Sequence, residues 1–255
     1  MTDLRISSDG AELWATVASP TRAAPQQPGV VFCHGFPSGP ADGSVVGRDL
    51  PQLADRVAAE MGWTALAFSF RGCGESTGQF SLGGWANDVE AAITWMLASG
   101  EVHNVWVAGF GTGGALGLCV GARNEAVTGV AALGAPADFA DWAAHPKRLL
   151  EHARNAGVID DPGYPDSIDR WARQMRNLRA EACATELSGR PLLLVHGSED
   201  ELGPLLDARA MADAHGAADL RIIVGAGHDL RHDPRSISVL LGWLDRHQTA
   251  LGVPA

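Results

Sequence analysis

The sequence predicts an α/β fold, with a mainly parallel central sheet and helices on both of its faces. Two observations carry that reading. From Val30 onward, short runs of Val, Ile, Leu and Ala alternate with longer stretches of helical spacing. Several of the short runs are apolar throughout, the pattern of strands buried on both faces. A third observation bounds the size, because 255 residues suit one domain carrying a modest insertion.

The elements follow in order. Residues 4–17 alternate around Asp9-Gly10, a pair that turns a hairpin cheaply. A loose Pro/Ala/Gln linker covers residues 20–28. The first buried strand, Val30-Val31-Phe32, ends at His34-Gly35, and residues 50–61 space as a helix. A strand over 64–70 precedes a helix over 82–97 with Trp85, Val89, Ala92, Ile93 and Met96 on one face. Val105-Trp106-Val107-Ala108 runs into the glycine-rich turn at 109–114 and a small-residue helix to Arg123. A strand at 127–133 closes this half.

The rhythm stops near Asp138. Residues 138–188 are charged and helical in pattern, with helices expected over 146–155 and 167–178. Alternation then resumes with strands at 192–195 and 220–224 and helices at 205–215 and 237–246. The expected organisation is a core of residues 1–137 and 189–255, with 138–188 as a helical lid inserted over the sheet.

Composition narrows the functions. A net charge of −11, from 19 Lys+Arg against 30 Asp+Glu, repels phosphate backbones and anionic lipid. Nucleic-acid and membrane partners are therefore not expected, and no apolar stretch is long enough to span a bilayer. The N-terminus lacks the pattern of a secretory signal. Cys33, Cys73, Cys119 and Cys183 show no C-x-x-C spacing, which reads as reduced thiols in a cytoplasmic protein without a metal site.

In such a sheet, ligands bind at the C-terminal ends of the strands. Four strand ends here carry chemistry: His34-Gly35-Phe36-Pro37, the turn at 109–114, His196-Gly197-Ser198-Glu199-Asp200, and Gly225-Ala226-Gly227-His228-Asp229. Asp200 and His228 are separated by enough chain for one helix and one strand. That places them on neighbouring strand ends, where a carboxylate can fix the tautomer of an imidazole base. Glu199 and Glu201 flank the acid and read as solvated loop charges. Trp142 and Trp171, in the inserted segment, are candidates for lining a substrate pocket.

These motifs, with Arg71-Gly72-Cys73-Gly74-Glu75-Ser76, Phe80 and Asp88, resemble the α/β-hydrolase family over nearly the whole chain. Within it they are most similar to small lidded esterases and serine aminopeptidase-like hydrolases. The resemblance implies an α/β-hydrolase fold and a Ser–Asp/Glu–His triad, with the serine on a strained G-x-S-x-G elbow. Carried over by position, the acid is Asp200 and the base His228, and the oxyanion donors are the backbone N–H groups of Phe36 and Thr112. The elbow itself reads Gly109-Phe110-Gly111-Thr112-Gly113, so the nucleophile position is Gly111, which has no side chain.

Several readings follow. The chain is an esterase-like hydrolase of small carboxylic esters or related carbonyl compounds in which His228 and Asp200 activate water. Alternatively, it is a pseudo-hydrolase that binds a small apolar ligand, or Gly111 is a change in an otherwise ordinary serine esterase. A fourth reading takes Gly109-x-Gly111-x-x-Gly114 as a dinucleotide fingerprint with Asp138 as its acidic residue. The first reading implies no cofactor and no metal, only a small-molecule substrate or ligand; the oligomeric state is left open.

Overall fold

The computed structural model describes residues 1–21 and 27–250, so most of the expected linker lies outside the described residues. One eight-stranded sheet forms the centre, with spatial order β1-β2-β4-β3-β5-β6-β7-β8. The hairpin β1 (Thr2–Ser8) and β2 (Ala11–Ala18) turns at Asp9-Gly10 as expected, and β2 runs antiparallel to β4 (Thr64–Phe68). The other strands are parallel: β3 (Gln27–Cys33), β5 (Val102–Phe110), β6 (Val127–Leu133), β7 (Leu192–Gly197) and β8 (Asp219–Ile223). This is the α/β-hydrolase architecture that the sequence predicts.

The strand order reverses at β3. The connection through α1 (Leu50–Met61) leads to β4 on one side, and α2 (Leu82–Ala98) returns the chain to β5 on the other. A crevice opens at such a point, between the C-terminal ends of β3 and β5. β5 runs further than the sequence suggests, because Gly109 still pairs with Cys33 and Ala132 where a glycine reads as a break.

Alternate residues of the strands feed two cores. Val30 and Phe32 join α1 and α9 (Pro234–Ala250) on one face, with Trp63, Trp106 and Trp243 among the buried residues there. Val31 and Cys33 join α2, α3 (Thr112–Arg123) and α8 (Leu205–His215) on the other. Helix α3 comes unusually close to the sheet. A Cβ on Gly113 would collide with the His34 carbonyl oxygen, and one on Gly117 would stand 2.7 Å from Val107 Cγ1.

Residues 138–188 fold as α4 (Ala140–Ala144), α5 (Pro146–Asn155), α6 (Ile168–Asn177) and α7 (Ala180–Glu186). Helix α7 packs against α3 and α8 in the layer that covers the sheet. There Cys183 is joined to Cys119 of α3 by a disulfide, which corrects the expectation of four reduced thiols. The two cysteines are 64 residues apart and meet only through tertiary packing, so no local spacing announces the bond. Cys33 and Cys73 are free and buried. No helix among the described residues is long and apolar enough to cross a membrane.

His34 ties the end of β3 to its surroundings. Its ring is fully buried, edge-on to Phe70 and Trp85. Nε2 accepts the Phe70 N–H at 3.1 Å, so Nδ1 carries the hydrogen and donates it to the Gly35 carbonyl at 2.7 Å. Burial, opposed by the Gly35 bond and aided by the positive charge of Arg231, lowers its pKa from 6.5 to about 4.

Two outcomes are expected from these features. Reduction of the disulfide, or the Cys119→Ala/Cys183→Ala double variant, should cost roughly 4 kcal/mol by loop entropy, read as a melting point lowered by about 10 °C. His34 should make stability fall with acid. Above pH 6.5 neither state holds the extra proton, whereas between 6.5 and about 4 the unfolded chain takes one that the fold refuses. Denaturant melts across that window should lose about 3 kcal/mol to this residue, and His34→Gln should flatten that part of the slope.

Candidate active site

The elbow follows from the close seating of α3. β5 ends at Phe110, Gly111 turns with φ 51° and ψ −125°, and α3 starts at Thr112. An L side chain is strained at that φ, so glycine is the relaxed choice. Space is not limiting. A Cβ on Gly111 would stand 3.5 Å from His228 Nε2 and 3.7 Å from Gly35 Cα. Position 111 therefore faces the imidazole directly.

The base reaches this point from the last strand. Gly197 ends β7 because any Cβ there would strike the carbonyl oxygens of Ala226 and Gly227, the loop that leads to His228. Backbone bonds from Ser198 to Ile223 and from Glu199 to Ala226 stitch the two loops together. Asp200 lies between them with a fully buried carboxylate. Its Oδ1 accepts the N–H groups of Leu202 at 2.9 Å and Gly203 at 2.8 Å. Its Oδ2 accepts from His228 Nδ1 at 2.9 Å, which leaves the Nε2 lone pair turned toward Gly111. The imidazole remains 37% exposed, open to a ligand.

A second histidine, named in the strand-end motif but given no role there, stands beside the acid. His196 is fully buried; its Nε2 donates to the Gly203 carbonyl at 3.0 Å and lies 3.3 Å from Asp200 Oδ2. Its Nδ1 is buried with no partner. Glu199 and Glu201 are exposed.

On the opposite wall, Phe36 presents its backbone at the end of β3. Its ring packs on Phe80 at 4.7 Å and Trp142 at 5.1 Å. Among the described residues neither the Phe36 nor the Thr112 N–H has a protein acceptor. The loop is braced from outside by α5, where His152 Nε2 donates to the Pro37 carbonyl at 3.1 Å. Nearby, the Ala41 N–H donates to the Asn155 carbonyl at 2.9 Å and the Gly43 N–H to that of Ala156 at 2.8 Å.

Gly35, Phe36, Gly111, Leu202, His228 and Arg231 line one cleft of about 370 Å³, within the range of small-ligand sites. Asp200, His228, Gly111 and Phe36 thus lie together, with Thr112 beside them. Trp142 and Trp171 do not, and their assignment is corrected. Trp171 is 3% exposed and donates from Nε1 to the Phe80 carbonyl at 3.2 Å. Trp142 borders a separate recess with His145 and His152. The apolar residues of these helices face inward onto the aromatic cluster, and the helices buttress the loop at 36–43. Asp138, the acid of the dinucleotide reading, accepts the Ala140 N–H at 2.8 Å.

Solved structures share this frame. Est1E from Butyrivibrio proteoclasticus is 19% identical and superposes with a TM-score of 0.73 over 98% of both chains. The alpha/beta hydrolase GrgF from Penicillium sp. sh18 is 20% identical, with a TM-score of 0.75 over 99% of both chains. Proline iminopeptidase of Mycobacterium smegmatis is 19% identical, with a TM-score of 0.68 over 98% of this chain and 100% of that one. At such identities the likeness is one of fold. No curated protein matches the chain in sequence. The sequence model described as the Alpha/beta hydrolase family matches residues 30–237, a span that holds the Gly35-Phe36 loop, the Gly111 elbow and the Asp200–His228 pair. On that match, this chain belongs to the alpha/beta hydrolase family.

Proposed function

We propose that this chain hydrolyses small carboxylic esters or related carbonyl compounds without forming an acyl-enzyme. One observation carries the reading: His228 Nε2 faces the position where Gly111 lacks a side chain, while Nδ1 is held by the buried Asp200. The absent hydroxymethyl group leaves room for about one water. In this mechanism His228 Nε2 removes a proton from that water as its oxygen attacks the substrate carbonyl. The Phe36 and Thr112 N–H groups, free of protein acceptors, take up the charge on the carbonyl oxygen. Collapse breaks the ester C–O bond, and imidazolium returns the proton to the leaving alkoxide. The products are one acid and one alcohol, with water consumed and His228 neutral again. Residues 138–188 serve here as an inserted helical segment that holds the oxyanion loop in place.

Hydrolysis of a panel of short activated esters tests the proposal. The unaltered protein should turn over slowly, and His228→Ala should lower the rate by about 100-fold or more. Turnover that is undiminished in His228→Ala would overturn it, and a protein that is silent but binds such esters would be a pseudo-hydrolase. Gly111→Ser should react with a fluorophosphonate probe that leaves the parent unlabelled. The same substitution should cost about 1–2 kcal/mol of stability, read by denaturant melting, because serine must adopt the positive φ of the elbow.

A further inference from the structure

We propose that the cleft accepts esters whose acyl chain ends in a carboxylate, such as hemi-esters of short dicarboxylic acids, and that Arg231 is the residue that reads this second acid. The inference rests on the reading of Gly111 and His228 as the reacting end of the site. Three residues beyond His228, the single 3-10 turn Leu230–His232 carries Arg231 into the cleft lining. One edge of its guanidinium is ion-paired: Nε is buried and stands 3.1 Å from Asp49 Oδ2, at the head of α1, without a hydrogen bond. The Nη edge is open. Among the described residues neither Nη atom donates a hydrogen bond to a protein acceptor, and the side chain is 19% exposed.

The other charges of the cleft are already engaged. Asp42 Oδ2 accepts the Gly39 N–H at 2.7 Å, and Asp229 Oδ2 lies 2.7 Å from His232 Nδ1. His232 Nε2 in turn lies 3.2 Å from Asp49. Asp42 thus has a backbone donor and Asp229 an imidazole nitrogen beside it, whereas no protein acceptor hydrogen-bonds to the two Nη atoms of Arg231. A planar fork with two parallel donors matches a carboxylate. The same lining includes Phe36, Val46, Phe110 and Leu202, apolar surface that suits a short run of methylenes. A polyanion is disfavoured by the overall charge of −11. The fitting ligand is therefore a small molecule with a carbonyl at one end and one carboxylate at the other.

Three para-nitrophenyl esters with the same three-carbon run beyond the ester carbonyl test this: the hemi-glutarate, the butyrate and the γ-aminobutyrate. With the unaltered protein, kcat/KM should be about tenfold or more higher for the hemi-glutarate than for the butyrate, and lowest for the ammonium ester. Arg231→Gln should abolish the preference, and Arg231→Lys, which keeps the charge but not the fork, should retain part of it. Equal or inverted rates in the unaltered protein overturn the inference, whether or not Arg231→Gln folds. If none of the three is hydrolysed, the proposed reaction fails and glutarate itself decides the remainder. A thermal shift with glutarate, absent with butyrate, reduced in Arg231→Lys and lost in Arg231→Gln, supports the anion site; no shift overturns it.

Discussion

The contact on which the site depends is the seating of α3 against the ends of β3 and β5. It is a contact between backbones. A side chain on Gly113 would run into the His34 carbonyl, and one on Gly109 into the Gly113 carbonyl. Only glycine permits that approach. The consequences are local and immediate. Thr112 opens its helix beside the Gly35-Phe36 loop, and Gly111 must turn through a positive φ between strand and helix. The helix end brings its unpaired N–H, and the favourable end of its dipole, to the same point. His34 supplies the counterpart by holding Gly35 and Phe70 from a buried ring.

The other half of the site repeats this solution with different chemistry. Gly197 lets the loop after β7 meet the loop after β8, again backbone against backbone. What is mounted there is an acid and a base. Asp200 is buried, yet three hydrogen bonds reach its two oxygens, so its charge is solvated by the protein rather than by water. His228 is the more exposed member of the pair, as the proposed general base must be. Burying Asp200 while leaving His228 accessible keeps the geometry of the pair fixed without closing the cleft.

Much of this was legible in the sequence, for a physical reason. Glycines at strand ends, a hairpin pair at Asp9-Gly10 and a carboxylate one helix and one strand before a histidine are local or nearly local signals. The period-two and helical patterns then fix the topology that brings them together. The signals that failed are those whose meaning is set by distant packing. Cys119 and Cys183 pair because α7 lies on α3. Trp171 faces Phe80 rather than the cleft, because an apolar stripe does not say which neighbour will cover it. Arg231 gave no signal at all, since an arginine in a charged turn reads as solvated until Asp49 and the cleft are in place around it.

The dyad raises a question that stability alone could answer wrongly. A buried carboxylate that loses its partner is costly, so an effect of removing His228 could reflect folding rather than chemistry. Here the architecture separates the two. Oδ1 of Asp200 keeps both backbone donors, and His196 Nε2 lies 3.3 Å from Oδ2 independently of His228. Without the outer imidazole the acid would still have donors on one oxygen and a neighbour for the other. His228 itself sits at the surface of the cleft and fills no core. The fold therefore has little need of its ring, and what the ring contributes is the lone pair that it turns toward Gly111.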